Sequence, residues 1–215
     1  MKNKTLIIKG QGISLFLSMD KNMMEFITLV SSLALVGVSL YGYRNKREIP
    51  YAFWAVSGLA FLIISVALVV LGLNALQLPV TPYLGSIYPA FMALGLIALR
   101  SDFWKYYLAF IVLMLLLFGL ASSNVFQIGL HSISGLVIVF LPIVYLVKKQ
   151  TNTAILLFTL GGFTIAIGGM ALAAITAGKP ILPLGLVIQL LHPLLFVSAF
   201  LLALGIYAVN NATKS

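Results

Sequence analysis

Apolar residues run almost unbroken from residue 25 to residue 208, divided by short polar interruptions into seven stretches. These cover 25–43, 51–73, 83–99, 105–122, 125–147, 153–177 and 183–208. A bilayer core of about 30 Å takes roughly 20 apolar residues in helical form. Backbone N–H and C=O groups in lipid must be satisfied within the span, which selects helices. The pattern predicts an all-α, polytopic membrane bundle of seven transmembrane helices.

The interruptions set the orientation. Between the spans lie Arg44, Lys46 and Arg47; the Pro79–Pro82 turn; Arg100 to Lys105; Ser123 and Asn124; Lys148 and Lys149; and Gly178-Lys179-Pro180. Connections after spans 1, 3 and 5 carry seven Lys/Arg, whereas those after spans 2, 4 and 6 carry Lys179 alone. Basic loops stay in the cytoplasm, so the amino terminus is expected outside and the carboxy terminus inside, in a multi-pass cell-membrane protein. Trp54, Trp104, Tyr106, Tyr107 and Tyr207 stand near span ends, where interfacial aromatic residues belong.

Composition narrows the class further. With 62% hydrophobic and 8% charged residues, no soluble fold would stay in solution, and 215 residues leave room for one bundle without a separate soluble domain. A net charge of +9 on a soluble domain would suggest nucleic acid. Here most cations sit at span ends, which assigns them to orientation and to contact with anionic lipid. The lack of cysteine removes disulfides, thiolate metal sites and thiol redox chemistry.

The N-terminal tail, 1–24, opposes the orientation, since Lys2, Lys4, Lys9 and Lys21 would lie outside. The segment from Thr5 to Leu17 is too short and too interrupted to span, and it has no small-residue cleavage site. A translation start at Met19 or Met23 accounts for this; a short amphipathic tail on the surface is the alternative. Residues 209–215 form the expected cytoplasmic tail.

A shift of 104 residues lays spans 1–3 on spans 5–7 without a gap. Gly58 falls on Gly162, Pro79 on Pro183, Tyr88-Pro89 on His192-Pro193, and Arg44-Asn45-Lys46 on Lys148-Lys149-Gln150. Beyond such coincidences the identity is near what two apolar sequences share by chance. The expected layout is 3+1+3, with parallel repeats 25–99 and 125–208 joined by a linker helix, 105–122. Repeats of this kind place a substrate site between the halves. The layout resembles that of the sugar-permeating SWEET family, whose proline–glutamine loop signature is missing here. It is loosely similar to that of microbial rhodopsins, but span 7 has no lysine to carry a retinal Schiff base.

A second resemblance covers spans 2–3. Leu71-Gly72-Leu73-Asn74, Leu78-Pro79, Ser86-Ile87-Tyr88-Pro89-Ala90-Phe91 and Leu94-Gly95 are similar to the pattern of a family of uncharacterised archaeal multi-spanning membrane proteins. That pattern favours an acidic residue where this chain has Tyr88. The resemblance implies membrane location.

No Asp, Glu, Lys or Arg lies deep inside a span; Glu25 begins the first, and Glu48 and Asp102 lie in loops. Intramembrane charges mark proton relays and coupled transport, so pumps, coupled antiporters and carboxylate-dependent hydrolysis are disfavoured. No catalytic or metal-binding residues are expected. His131 and His192 enter spans 5 and 7 from the outer side, roughly 9–14 Å below the boundary. Tyr88, Gln127 and Gln189 share that side, and Gln189 and His192, three apart, share a helix face. These observations suggest an outward-opening ligand pocket lined by Tyr88, Gln127, His131, Gln189 and His192. It would serve a small uncoupled facilitator or ligand-binding membrane protein without a cofactor.

The alternative is a membrane subunit of a redox assembly. Its haem b would be held by His131 and His192, with Ser132, Ser134 and Gly135 giving room and Pro193 loosening the helix. The plainest reading of each histidine is a hydrogen bond to a serine or carbonyl on a neighbouring helix. Asn74, Gln77 and Gln127 are equally explained as interfacial polar residues. Gly161-Gly162 and Gly168-Gly169, seven apart, would let helices approach closely or form a hinge. Expected partners are the bilayer and, through apolar outer faces, other membrane proteins or further copies of the chain, not nucleic acid.

Overall fold

The computed structural model describes residues 21–121, 123–176 and 183–212, and every regular element among them is helical. Seven α-helices follow in order: α1 (Lys21–Lys46), α2 (Ile49–Leu71), α3 (Thr81–Ala98), α4 (Trp104–Ala121), α5 (Asn124–Val147), α6 (Leu156–Thr176) and α7 (Leu184–Ala212). Short 3-10 turns, Gly72–Gln77 and Thr153–Ile155, precede α3 and α6. Six helices, α1–α5 and α7, are long and apolar enough to cross a membrane. Around α6 the apolar helical stretch Thr153–Ile167 is shorter than a span.

The helix ends follow local chemistry. Pro50 and Pro82 sit in the first turns of α2 and α3, where a missing N–H costs nothing. After α1, Arg47 takes a left-handed conformation (φ 55°) and its N–H donates to Tyr43 O at 2.7 Å. After α5, Lys149 does the same (φ 55°), and Gln150 N–H donates to Tyr145 O at 2.9 Å. Both close the final turn in the manner usually given to glycine.

Three boundaries differ from the apolar pattern. The helix of span 1 begins at Lys21, which carries Glu25 into the first turns, where it is buried. Span 6 opens in a 3-10 turn because Asn152 Oδ1 accepts the Ala154 N–H at 3.1 Å. Helix α7 continues to Ala212, so Asn210 is a buried helical residue and not part of a tail. The expectations for residues 1–20, the Gly178-Lys179-Pro180 turn and residues 213–215 lie outside the described residues.

Six helices form a closed circle in the order α1, α2, α3, α5, α6, α7, with α7 returning to α1. Helix α4 packs outside it against α3 and α5. Burial follows this placement, with 56% of the most apolar stretch of α3 buried against 11% for α4. Glycines set the close approaches. A Cβ on Gly58 would press on the α1 backbone at Val36, and one on Gly162 would strike Ile138 of α5. A Cβ on Gly161 would meet Leu202 and the Ser198 carbonyl of α7. Adjacent glycines of α6 thus serve two different seams. The side-chain surroundings of Gly168 and Gly169 lie outside the described residues.

Aromatic rings fill much of the middle of the circle. Tyr51 meets Trp54 edge-on at 5.2 Å, Trp54 meets Phe158 of α6 at 5.3 Å, and Phe61 stacks on Tyr88 of α3 at 4.8 Å. The Trp54 indole N–H donates to Met92 O at 3.2 Å, over Gly95, where a Cβ would collide with the ring. The outer surface is apolar, with Phe26, Val70, Leu120 and Phe163 exposed as lipid-facing residues would be.

Candidate functional site

Proline within α3 creates the first polar feature. Pro89 has no N–H, so the Gly85 carbonyl loses its intrahelical donor. His131 of α5 supplies another, with Nδ1 at 3.3 Å from Gly85 O. A carbonyl can only accept, so this bond requires the proton on Nδ1 and leaves Nε2 with its lone pair. The half-buried imidazole is thereby oriented, with Nε2 able to accept.

Tyr88 precedes that proline. Its backbone oxygen accepts from Ser57 Oγ at 2.6 Å, and its ring lies nearly parallel to Phe61. The residue is 4% exposed, and its hydroxyl sits beside Ser198 of α7 without closing a hydrogen bond. Ser198 Oγ instead donates to Gly161 O at 2.9 Å. Among the described residues Tyr88 therefore presents a buried phenol whose hydrogen-bonding capacity is unused.

The other expected site residues have separate surroundings. His192 is buried in α7, and its backbone oxygen lies 3.4 Å from Thr28 Oγ1 of α1. Gln127 is half-buried in the first turn of α5, and Gln189 is exposed on α7. Thus Tyr88 is tied to α2 and lies near α7, His131 to α3, and the His192 backbone to α1. Ser134 is engaged by Tyr107 of α4 at 2.8 Å and bonds its own helix at Leu130 O, while Ser132 is exposed. Asn74 and Gln77 are exposed in the 3-10 turn before α3. No group of three or more His, Asp or Glu suited to a metal ion occurs among the described residues.

The opposite end of the bundle holds a feature that sequence reasoning missed. An open cleft of about 530 Å3 lies where the α1–α2 and α3–α4 connections meet, walled by Lys46, Arg47, Glu48, Arg100, Asp102 and Trp104. Tyr51, Pro50, Leu99 and Val209 also contribute to its lining. The signal was present in the sequence, since both basic connections were assigned to one side of the membrane. Orientation and contact with anionic lipid explain them in the sequence, and neither requires the two connections to meet.

Neither a protein-family model nor a curated protein nor a solved structure matches this chain, so its own geometry carries the functional argument.

Proposed function

We propose that the protein is a seven-span, multi-pass membrane protein that binds a small polar solute and passes it without ion coupling. In this reading the halves are 3+1+3 parallel repeats, with the amino terminus outside and the carboxy terminus inside. The order of neighbours supports it: exchanging α1–α3 with α5–α7 leaves the circle unchanged, and α4 outside it serves as the extra crossing. Trp54 and Phe158, 104 positions apart, meet at 5.3 Å, as equivalent residues would beside a two-fold axis. Gly58 and Gly162, also 104 apart, each press on the helix preceding their own.

One observation carries the site: the buried Tyr88 hydroxyl between α3 and α7 has no hydrogen bond among the described residues. Leaving such a group unmet costs about 1–3 kcal/mol, which a polar solute in the pocket would offset. His131 Nε2 supplies an acceptor, with Gln127, Gln189 and His192 as further polar groups on the outer side. The apolar Trp54–Phe158 pair closes the route below. Stopped-flow swelling of proteoliposomes in glycerol and erythritol tests the reading. Flux above that of protein-free vesicles, altered by Tyr88→Phe, is expected; flux indistinguishable from empty vesicles refutes passage of these solutes.

A second reading, haem b in a redox subunit, draws on the His131 tautomer, because an Nδ1–H held by a carbonyl leaves Nε2 suited to an axial ligand. The Phe61–Tyr88 stack in the bundle centre weighs against room for a macrocycle. A reduced-minus-oxidised visible spectrum separates the readings: a Soret band lost in His131→Ala and His192→Ala favours haem, and a colourless protein supplied with haem favours the solute.

A further inference from the structure

We propose that the cleft at the basic end of the bundle is a phosphate-binding site, taking the phosphate of a lipid head group or of a small soluble ester. The proposal stands apart from the permeation reading, because it concerns equilibrium binding at the other end of the molecule. Three cations, Lys46, Arg47 and Arg100, converge on the cleft from two separate connections. Two carboxylates also line it, but Asp102 is 91% exposed and engaged by Lys105 at 3.5 Å, which turns part of the acidic charge toward Lys105 and water. Guanidinium forks match the geometry of phosphate oxygens, and two arginines suffice to hold one group by charge-assisted bonds.

The walls favour an amphiphilic ligand. Ile49, Pro50, Leu99 and Trp104 give the cleft an apolar side, and low-dielectric walls strengthen the field of the adjoining cations. A volume of about 530 Å3 accommodates a glycerophosphate moiety and lies within the range of small-ligand sites. Arg47 occupies a left-handed position (φ 55°) where glycine is the unstrained choice, so a glycine there removes the guanidinium while relaxing the backbone. Lys149 has the same conformation (φ 55°) but does not line the cleft, which provides a built-in control.

The test uses the full chain in detergent, with native mass spectrometry reading retention of added phosphatidylglycerol. Tryptophan fluorescence, with Trp104 in the cleft wall, follows glycerol 3-phosphate and inorganic phosphate. Arg47→Gly and Arg100→Gln are each expected to weaken binding roughly tenfold, the effect of losing one charge-assisted contact. Lys149→Gly should bind as the wild type does. Glycine is the usual residue at that turn, so Arg47→Gly should fold, and its thermal midpoint checks this. Retention of phosphatidylglycerol without response to the soluble phosphates assigns a lipid; competition by glycerol 3-phosphate assigns a soluble ester. Equal binding by wild type and both arginine variants, or equal loss in Arg47→Gly and Lys149→Gly, overturns the proposal.

Discussion

Trp54→Ala should be the most damaging single truncation in the bundle, because three kinds of contact end together. The side chain is fully buried, meets Tyr51 at 5.2 Å and Phe158 at 5.3 Å, and donates its indole N–H to Met92 O at 3.2 Å. Large aromatic truncations in packed interiors cost about 3–5 kcal/mol. Lipid tails are as apolar as a helix interface, so the transfer part of that figure shrinks, while lost dispersion contacts and the cavity remain. An expected loss near 3 kcal/mol follows, of which the hydrogen bond accounts for about 1 kcal/mol. Trp54→Phe retains a ring against Phe158 and strips the N–H, so it should lose only about 1 kcal/mol. Reversible unfolding by SDS titration in mixed micelles measures both. A Trp54→Ala loss below about 1 kcal/mol, or equal losses in the two variants, would refute the packing argument. If the Trp54–Phe158 pair also closes a route, Trp54→Ala should speed glycerol-driven swelling, whereas Trp54→Phe should not.

The remaining predictions concern single groups. Tyr88→Phe should hold or raise stability, by about 1 kcal/mol, because it removes a buried hydroxyl without a hydrogen bond; a loss of that size in SDS titration would mean the hydroxyl is paired. Gly162→Leu should destabilise by about 1–3 kcal/mol, since even its Cβ would lie 2.6 Å from Ile138 Cγ2. Gly37→Ala, whose Cβ meets nothing within 4 Å, should be neutral or stabilising in the same unfolding assay. Pro89→Ala restores a donor to Gly85 O, so the His131 proton should shift from a pure Nδ1–H form toward a mixture with Nε2–H. Imidazole 15N chemical shifts read this directly, and an unchanged tautomer would sink the competition argument.

The helices were legible because a lipid surround would impose one rule on every span, and the apolar stretches around α1 to α5 lie within a few residues of the helices. It did not reveal which face of each helix turns inward. A helix that is apolar all round has no stripe to separate lipid from neighbour, so the circular order and the exclusion of α4 could not be read off. The candidate site shows the same division. His131 reads from the sequence as a polar residue in need of a serine or carbonyl partner, and Gly85 O provides the carbonyl. Which carbonyl was not legible, because Pro193 points to those of α7 whereas Pro89 frees Gly85 O beside α5. Tyr88 enters the expected pocket through its depth and its match to His192, neither of which bears on its hydroxyl. The basic cleft required two loops to meet. Their position at one end of the bundle was legible, but their adjacency was not.

The side-chain hydrogen bonds explain why α3 anchors the circle. Most buried hydroxyls bond their own helix, as Ser31 does at Thr28 O, Ser39 at Leu35 O and Ser65 at Phe61 O, and such bonds say nothing about which helix lies beside which. Donors that cross between helices carry that information, and four of them end on α3. Ser57 and Trp54 of α2 reach Tyr88 O and Met92 O, while His131 and Tyr145 of α5 reach Gly85 O and Leu96 O. At about 100° per residue these four positions fall within an arc of roughly 80°. One face of α3 thus accepts hydrogen bonds from both of its neighbours in the circle. Apolar packing alone would tolerate many rotations of α3 in a lipid-like interior, but a donor aimed at a particular carbonyl tolerates few. Pro89 makes one acceptor, Gly85 O, more available than an intact helix would. The same proline that weakens α3 as a helix therefore helps fix its place between α2 and α5.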